Sequence, residues 1–212
     1  MIHLYHGSAE RVKSPQCELC KAHNDYGPGF YCTLDQELAQ EWACFRGGRS
    51  GYCNHYLIDE SGLAILDLDA APYTPLNWIA LLLKNRRFDA GVNAEVLNLF
   101  VSRYGVDVSG ADVIEGYRAD DSYFAIARAF LDGGLTDKQV ESALRLGKLG
   151  RQFVVVSQPG FERLHFVDAL PVDADIWYPR WSERDATARK AFRDMRSGSS
   201  WTEGKRIYEL IG

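Results

Sequence analysis

With 212 residues, the chain is long enough to bury a core in one domain, or in a domain with an appended lobe. Its 46% hydrophobic and 25% charged residues exclude a disordered or low-complexity chain, and a formal net charge of −5 weighs against a broad non-specific nucleic-acid surface. The opening MIHLYHGSAE lacks the apolar region of a signal peptide, and the longest apolar run, residues 78–83, falls far short of the roughly 20 residues that span a bilayer, so a cytoplasmic protein without membrane contact is expected.

Taken in chain order, residues 2–5 predict a short buried strand that ends at His6-Gly7-Ser8. Residues 9–28 read as loop with a helical turn, and residues 30–32 as a second strand. Thr33 and Gln36 have the spacing of a capping box, opening a helix with Leu38, Trp42 and Phe45 on one stripe that stops at Gly47-Gly48. Strands are expected over 52–58 and 64–68 around an Asp-Glu-Ser-Gly turn. Amphipathic helices are expected over 75–88 and 93–104, a strand over 112–117, and a helix over 121–131 broken by Gly133-Gly134. A second capping box, Thr136 and Gln139, opens a helix ending near Gly147. Residues 152–157, β-branched and apolar, form the clearest strand; 163–167 follow as its neighbour, then a charged helix over 182–195 and a short final element over 205–211. The pattern predicts one α+β domain spanning the chain, with a helical insertion at about 75–148 and a C-terminal charged helix at about 182–196.

Five cysteines without an export signal point to thiols. Cys17 and Cys20 have the spacing of half a zinc site, with His23 nearby, and only Cys53 and His55 are at hand to complete it; no metal is expected. Two small basic clusters, Arg46 with Arg49 and Lys84 with Arg86 and Arg87, are most simply solvated surface but keep a nucleic-acid target open.

The chemistry-bearing segments are Leu4-Tyr5-His6-Gly7-Ser8 and Gly27-Pro28-Gly29-Phe30-Tyr31, the latter followed by Trp42 on the next helix. Glycines at strand ends allow a flat ligand to approach the backbone, and Tyr31 and Trp42 offer aromatic faces; read one at a time, His6 is a strand end and Trp42 a core residue. Together they resemble the NAD-binding half of the poly(ADP-ribose) polymerase branch of ADP-ribosyltransferases. The runs Gly116-Tyr117-Arg118-Ala119-Asp120-Asp121-Ser122-Tyr123-Phe124, Leu146-Gly147-Lys148-Leu149-Gly150-Arg151-Gln152 and Phe161-Glu162-Arg163-Leu164 extend this to a resemblance with a bacterial family of ADP-ribosyltransferase-like proteins of toxin type. That resemblance implies a split β-sheet core and NAD⁺ as substrate. It also implies a macromolecular acceptor, protein or nucleic acid, and a small antitoxin partner. By the same resemblance His6, Gly7, Ser8, Gly29, Tyr31, Trp42 and Arg118 would bind NAD⁺.

One departure matters. Where polymerase-type members open a late strand with Glu, this chain has Gln152, which can orient a ribose but brings no charge. Either Asp120 and Asp121 supply the carboxylate, unless they are simply helix-opening acids, or the chain works with Gln152. The alternatives to a mono-ADP-ribosyltransferase are a catalytically weak or inactive module that binds NAD or ADP-ribose, and an interaction protein whose glycines only make turns.

Overall fold

A computed structural model describes residues 1–44, 48–86, 93–118, 121–144, 150–197 and 203–212, with the side chains of 121–124 left out. Among them lie seven strands: β1 (Ile2–Ser8), β2 (Phe30–Thr33), β3 (Gly51–Ile58), β4 (Ile65–Asp67), β5 (Val113–Tyr117), β6 (Arg151–Val155) and β7 (Leu164–Val172). Eight helices accompany them: α1 (Gln36–Cys44), α2 (Pro75–Asn85), α3 (Ala94–Tyr104), α4 (Asp121–Leu131), α5 (Asp137–Ala143), α6 (Gln158–Glu162), α7 (Ala174–Ser197) and α8 (Ile207–Ile211). The strands form one sheet in the order β4-β5-β6-β2-β1-β3-β7, antiparallel except for the β4–β5 pair. The architecture is α+β, with β5 threading the otherwise helical 75–148 segment into the sheet between β4 and β6.

Alternation along each strand sends side chains to two faces, and three apolar clusters follow from it. On one face, Leu4, Phe30, Cys32, Tyr56, Ile58, Phe153 and Val155 pack under Phe161 of α6. On the other, Ile114 and Val154 meet the apolar sides of α2, α3, α4, α5 and α8. On that second face of β1, β3 and β7, Ala39 and Ala43 of α1 pack with Cys53, Val172 and Ala174. The ion pair of Glu41 with Arg184, whose Nε donates at 2.7 Å, ties α1 to α7, and Glu41 is only 7% exposed.

Several local expectations change. Thr33 does not cap α1. It ends β2, its Oγ accepts from the Asp35 N–H at 3.2 Å, and the Asp35 carboxylate caps instead by accepting from Glu37 N–H at 2.9 Å. A carboxylate directly before the helix completes the same turn with added charge at the positive end of the macrodipole. The Thr136–Gln139 capping box forms as expected. β7 runs to Val172 rather than 167, because β3 offers its whole length as a partner. α7 starts at Ala174, eight residues before the expected helix: Asp173 Oδ1 accepts from Asp175 N–H at 3.0 Å, and Pro179 is tolerated early in the helix. Phe45 and Gly47, the last part of the expected α1 stripe and its stop, lie outside the described residues, as does Gly147.

Gly7 fixes how closely α1 lies on the sheet. A Cβ there would collide with the Ala39 carbonyl oxygen and stand 2.7 Å from Ala43 N. The missing side chain therefore admits the helix backbone, where the sequence suggested a ligand. Gly7→Ala is expected to destabilise the fold by about 1–3 kcal/mol, the usual cost of overpacking. Gly110→Ala, where a Cβ meets nothing within 4 Å, should stay within about 0.5 kcal/mol of wild type. Urea unfolding of both variants checks this; equal midpoints would mean that α1 yields without strain.

Candidate active site

The sheet is continuous everywhere but at one place. β1 and β2 share a single pair, Tyr5 with Thr33, whereas β1 and β3 pair over seven residues and β2 and β6 over four. Beyond that pair the two strands share no further rung. The result is two half-sheets, β4-β5-β6-β2 and β1-β3-β7, hinged at one rung.

His6 lies at this seam. Its Nδ1 is 2.7 Å from the Tyr31 carbonyl oxygen, and its ring is 4.5 Å from that of Phe30. A carbonyl oxygen only accepts, so Nδ1 carries the hydrogen and Nε2 presents a lone pair. Part of the residue stays open to solvent, yet protein surrounds the ring on most sides. Desolvation by burial lowers its pKa, against the raising effect of the Tyr31 carbonyl and with help from the nearby Arg118 cation. The ring is thus neutral at pH 7, an acceptor fixed in one tautomer.

Across the seam, one row of the sheet runs Gly116, Gln152, Thr33, Tyr5, His55, Asp168. Gln152 is 7% exposed, and its Oε1 is fully buried with no hydrogen-bond partner among the described residues. Leaving such an acceptor unmatched costs about 1–3 kcal/mol, so the position is suited to a donor supplied from outside. Gln152 shares its face with Val154, and by alternation with Thr33 and Tyr31 on β2.

The remaining candidates divide. Trp42 on α1 is half-buried, with the Arg118 guanidinium 4.7 Å above its ring; Arg118 is itself 4% exposed. The Tyr31 hydroxyl donates to the Gly27 carbonyl at 2.6 Å and accepts from Tyr26 N–H at 3.0 Å, and burial raises its pKa far above the ordinary value. Its oxygen is therefore occupied in shaping the turn, and only the ring is available to a ligand. Ser8 is similarly engaged: its Oγ donates to the Glu10 carbonyl at 2.5 Å and accepts from Asn54 Nδ2 at 3.0 Å. A Cβ on Gly29 would stand 2.6 Å from the Val154 side chain, so this glycine, too, serves packing against β6. Asp120 lies outside the described residues; Asp121 opens α4, and its side chain is outside them as well.

Asn54 is the residue that sequence reasoning missed. Fully buried on β3, it donates from Nδ2 to the carbonyls of His6 at 3.2 Å and Glu10 at 3.1 Å, and Oδ1 accepts from Val12 N–H at 2.8 Å. One amide thus holds the chain as it leaves β1. Only its place as a lone Asn in the middle of an apolar strand hinted at this. Cys53 and His55 lie on the opposite side of the sheet from the cluster against which Cys17 and Cys20 pack, so they do not complete a metal site with them. Among the described residues no three His, Cys, Asp or Glu side chains gather around a common point.

A family model described as a protein of unknown function, DUF3990, matches residues 2–166, nearly four-fifths of the chain. The chain belongs to the DUF3990 family. The match takes in His6, Tyr31, Trp42, Arg118 and Gln152 and stops inside β7, leaving α7 and α8 beyond the DUF3990 boundary. No curated protein and no solved structure matches the chain.

The pKa of His6 has a consequence for stability. The folded value lies below the unfolded 6.5, so the unfolded chain binds the extra proton first. Stability is then fully present above about pH 6.5 and declines as pH falls toward the lower folded value. His6→Gln, which keeps a donor for the Tyr31 carbonyl, should flatten the fall in unfolding free energy between about pH 7 and 5. Parallel slopes for the two proteins would show that His6 is not the group responsible.

Proposed function

We propose that the chain binds NAD⁺ at the seam between the two half-sheets and transfers its ADP-ribose to a macromolecule, as a mono-ADP-ribosyltransferase of toxin type. The observation that carries this reading is the buried Oε1 of Gln152, unpartnered among the described residues, on the row that crosses the single β1–β2 rung, together with a His6 at the same rung held with Nε2 as acceptor. NAD⁺ carries two riboses, whose hydroxyls are donors for both. His6 Nε2 would accept from one ribose hydroxyl, and Gln152 Oε1 from another, which removes the cost of leaving that oxygen bare. The Trp42 ring, which already stacks a planar cation in Arg118, has the chemistry to stack the cationic nicotinamide ring. A sheet split at one rung is also what the resemblance of the His6-Gly7-Ser8 and Gly29-Phe30-Tyr31 segments implies.

In the reaction the bond between nicotinamide and ribose C1′ breaks, and nicotinamide leaves with the electron pair. Positive charge develops on the sugar, an acceptor nucleophile attacks C1′, and that nucleophile gives up its proton. Gln152 orients the ribose through a dipole, and it stabilises the developing charge less than a carboxylate would. The same fact supports the second reading, a module that binds NAD or ADP-ribose and turns it over feebly. A small antitoxin protein as partner belongs with the transferase reading, and a cytoplasmic setting suits NAD⁺ as substrate.

Nicotinamide release from labelled NAD⁺, with purified protein and bacterial lysate, tests both. The expected outcome is release with label moving onto a lysate protein or nucleic acid. His6→Ala and Gln152→Ala should each lower the rate, by on the order of 10²–10³ for the loss of a group that acts in the transition state. Saturable NAD⁺ binding without release would favour the binding module, and Gln152→Glu should then restore turnover. Absence of NAD⁺ binding by calorimetry would end both readings.

A further inference from the structure

The five cysteines are all free thiols, and their surroundings divide them into two groups. Cys32, Cys44 and Cys53 are buried, and desolvation raises each thiol, that of Cys53 to about 12. At ordinary pH they are protonated, and their burial shields them from reagents in solution. Cys17 and Cys20 are different. Both are half-exposed, on the loop between β1 and β2, where they rest against the rim of the cluster around Phe30 and Tyr56.

The backbone brings this pair together. Cys17 opens a 3₁₀ turn, Cys17–Leu19, and Cys20 N–H donates to the Cys17 carbonyl at 3.1 Å. A turn closed between residues i and i+3 holds its end Cα atoms within about 7 Å, and 3₁₀ geometry eclipses the two side chains. A disulfide asks for a Cα separation of about 4.4–6.8 Å. The same turn is coupled to the strand that follows. Gly29 N–H lies close enough to the Cys20 sulfur to favour its thiolate, although burial outweighs this and raises the thiol overall. Gly29 directly precedes β2, and two residues earlier the Gly27 carbonyl accepts from the Tyr31 hydroxyl.

We infer that Cys17 and Cys20 form a redox-active dithiol, which small-molecule disulfides oxidise to an intramolecular bridge that stiffens the loop leading into β2. In the first step a protein thiolate attacks one sulfur of the small disulfide, and one small thiolate leaves. The second cysteine loses its proton and attacks the protein-bound sulfur of the mixed disulfide, displacing the other small thiolate. One S–S bond breaks and one forms. The cysteine pair gives up two electrons and two protons, and the small disulfide becomes two thiols. This site goes beyond the NAD⁺ reading and does not depend on it.

The test uses the full chain, folded and reduced, with glutathione disulfide as oxidant, followed by alkylation and peptide mapping by mass spectrometry. The expected product lacks two hydrogens, carries a link between Cys17 and Cys20, and leaves the other three thiols to be alkylated only after denaturation. Cys17→Ser and Cys20→Ser should each stop at a stable mixed disulfide on the remaining cysteine. Hydrogen exchange of the bridged protein should slow several-fold at the amides of Tyr26 and Gly27. A wild-type protein that stays unreacted, or that accumulates mixed disulfides without closing, would overturn the dithiol. A bridge that forms and leaves those amides exchanging at the same rate would overturn its coupling to the loop.

Discussion

The structure depends on the single rung between β1 and β2. Were those strands paired along their length, the sheet would be an unbroken seven-stranded surface with no internal edge. Because their ladder consists of Tyr5 and Thr33 alone, the next link between them is a side chain, His6, which bonds the Tyr31 carbonyl. Both half-sheets are independently stiff. β1 and β3 are paired from Ile2 to Ser8, and β2 is paired with β6 from Phe30 to Thr33.

Helix α1 makes the two sides of the rung unlike. It is seated against β1 by the absence of a side chain at Gly7, and it carries Trp42 beside that strand. On the other half, the helices of the 75–148 segment bury α2 almost completely, with Trp78 Nε1 donating to the Tyr26 hydroxyl at 2.7 Å. Tyr26 in turn donates to the Tyr117 carbonyl at 2.5 Å, so the loop before β2 is tied to the end of β5, next to Arg118. Buried, mutually satisfied polar groups of this kind specify one arrangement of the chain. The helical segment therefore acts on the site indirectly, by holding Tyr26 and the turn that shapes Tyr31.

Much of this was legible in the sequence. The strands at Leu4, Phe30 and Phe153, the first of which runs on through Ser8 beyond its expected end at residue 5, the helices α2 and α3, and the capping box at Thr136 follow from hydrophobic period and cap chemistry, which are local signals. Errors arose where a distant partner decides. β7 is longer than its own residues suggest because β3 templates it, and α7 begins before Pro179 because Asp173 supplies a cap that its neighbours obscure. Glycines were legible only in part. Gly7 and Gly29 announced a close approach, but sequence gives no means to tell a ligand from a helix or a neighbouring strand. Asn54 escaped notice for a similar reason, since its four hydrogen bonds go to segments 42 to 48 residues away.

The ion pair between Glu41 and Arg184 has a bearing on where this domain ends. Glu41 belongs to α1, one residue from Trp42, while Arg184 sits on α7, past the boundary of the matched family region. A carboxylate so little exposed needs its cation, and stripping a partner from a buried pair costs about 3–5 kcal/mol. A protein trimmed to the family boundary would lose the cation of this pair together with the helix that helps to cover Glu41. Helix α7 thus supplies the counterion for a buried acid of the matched region.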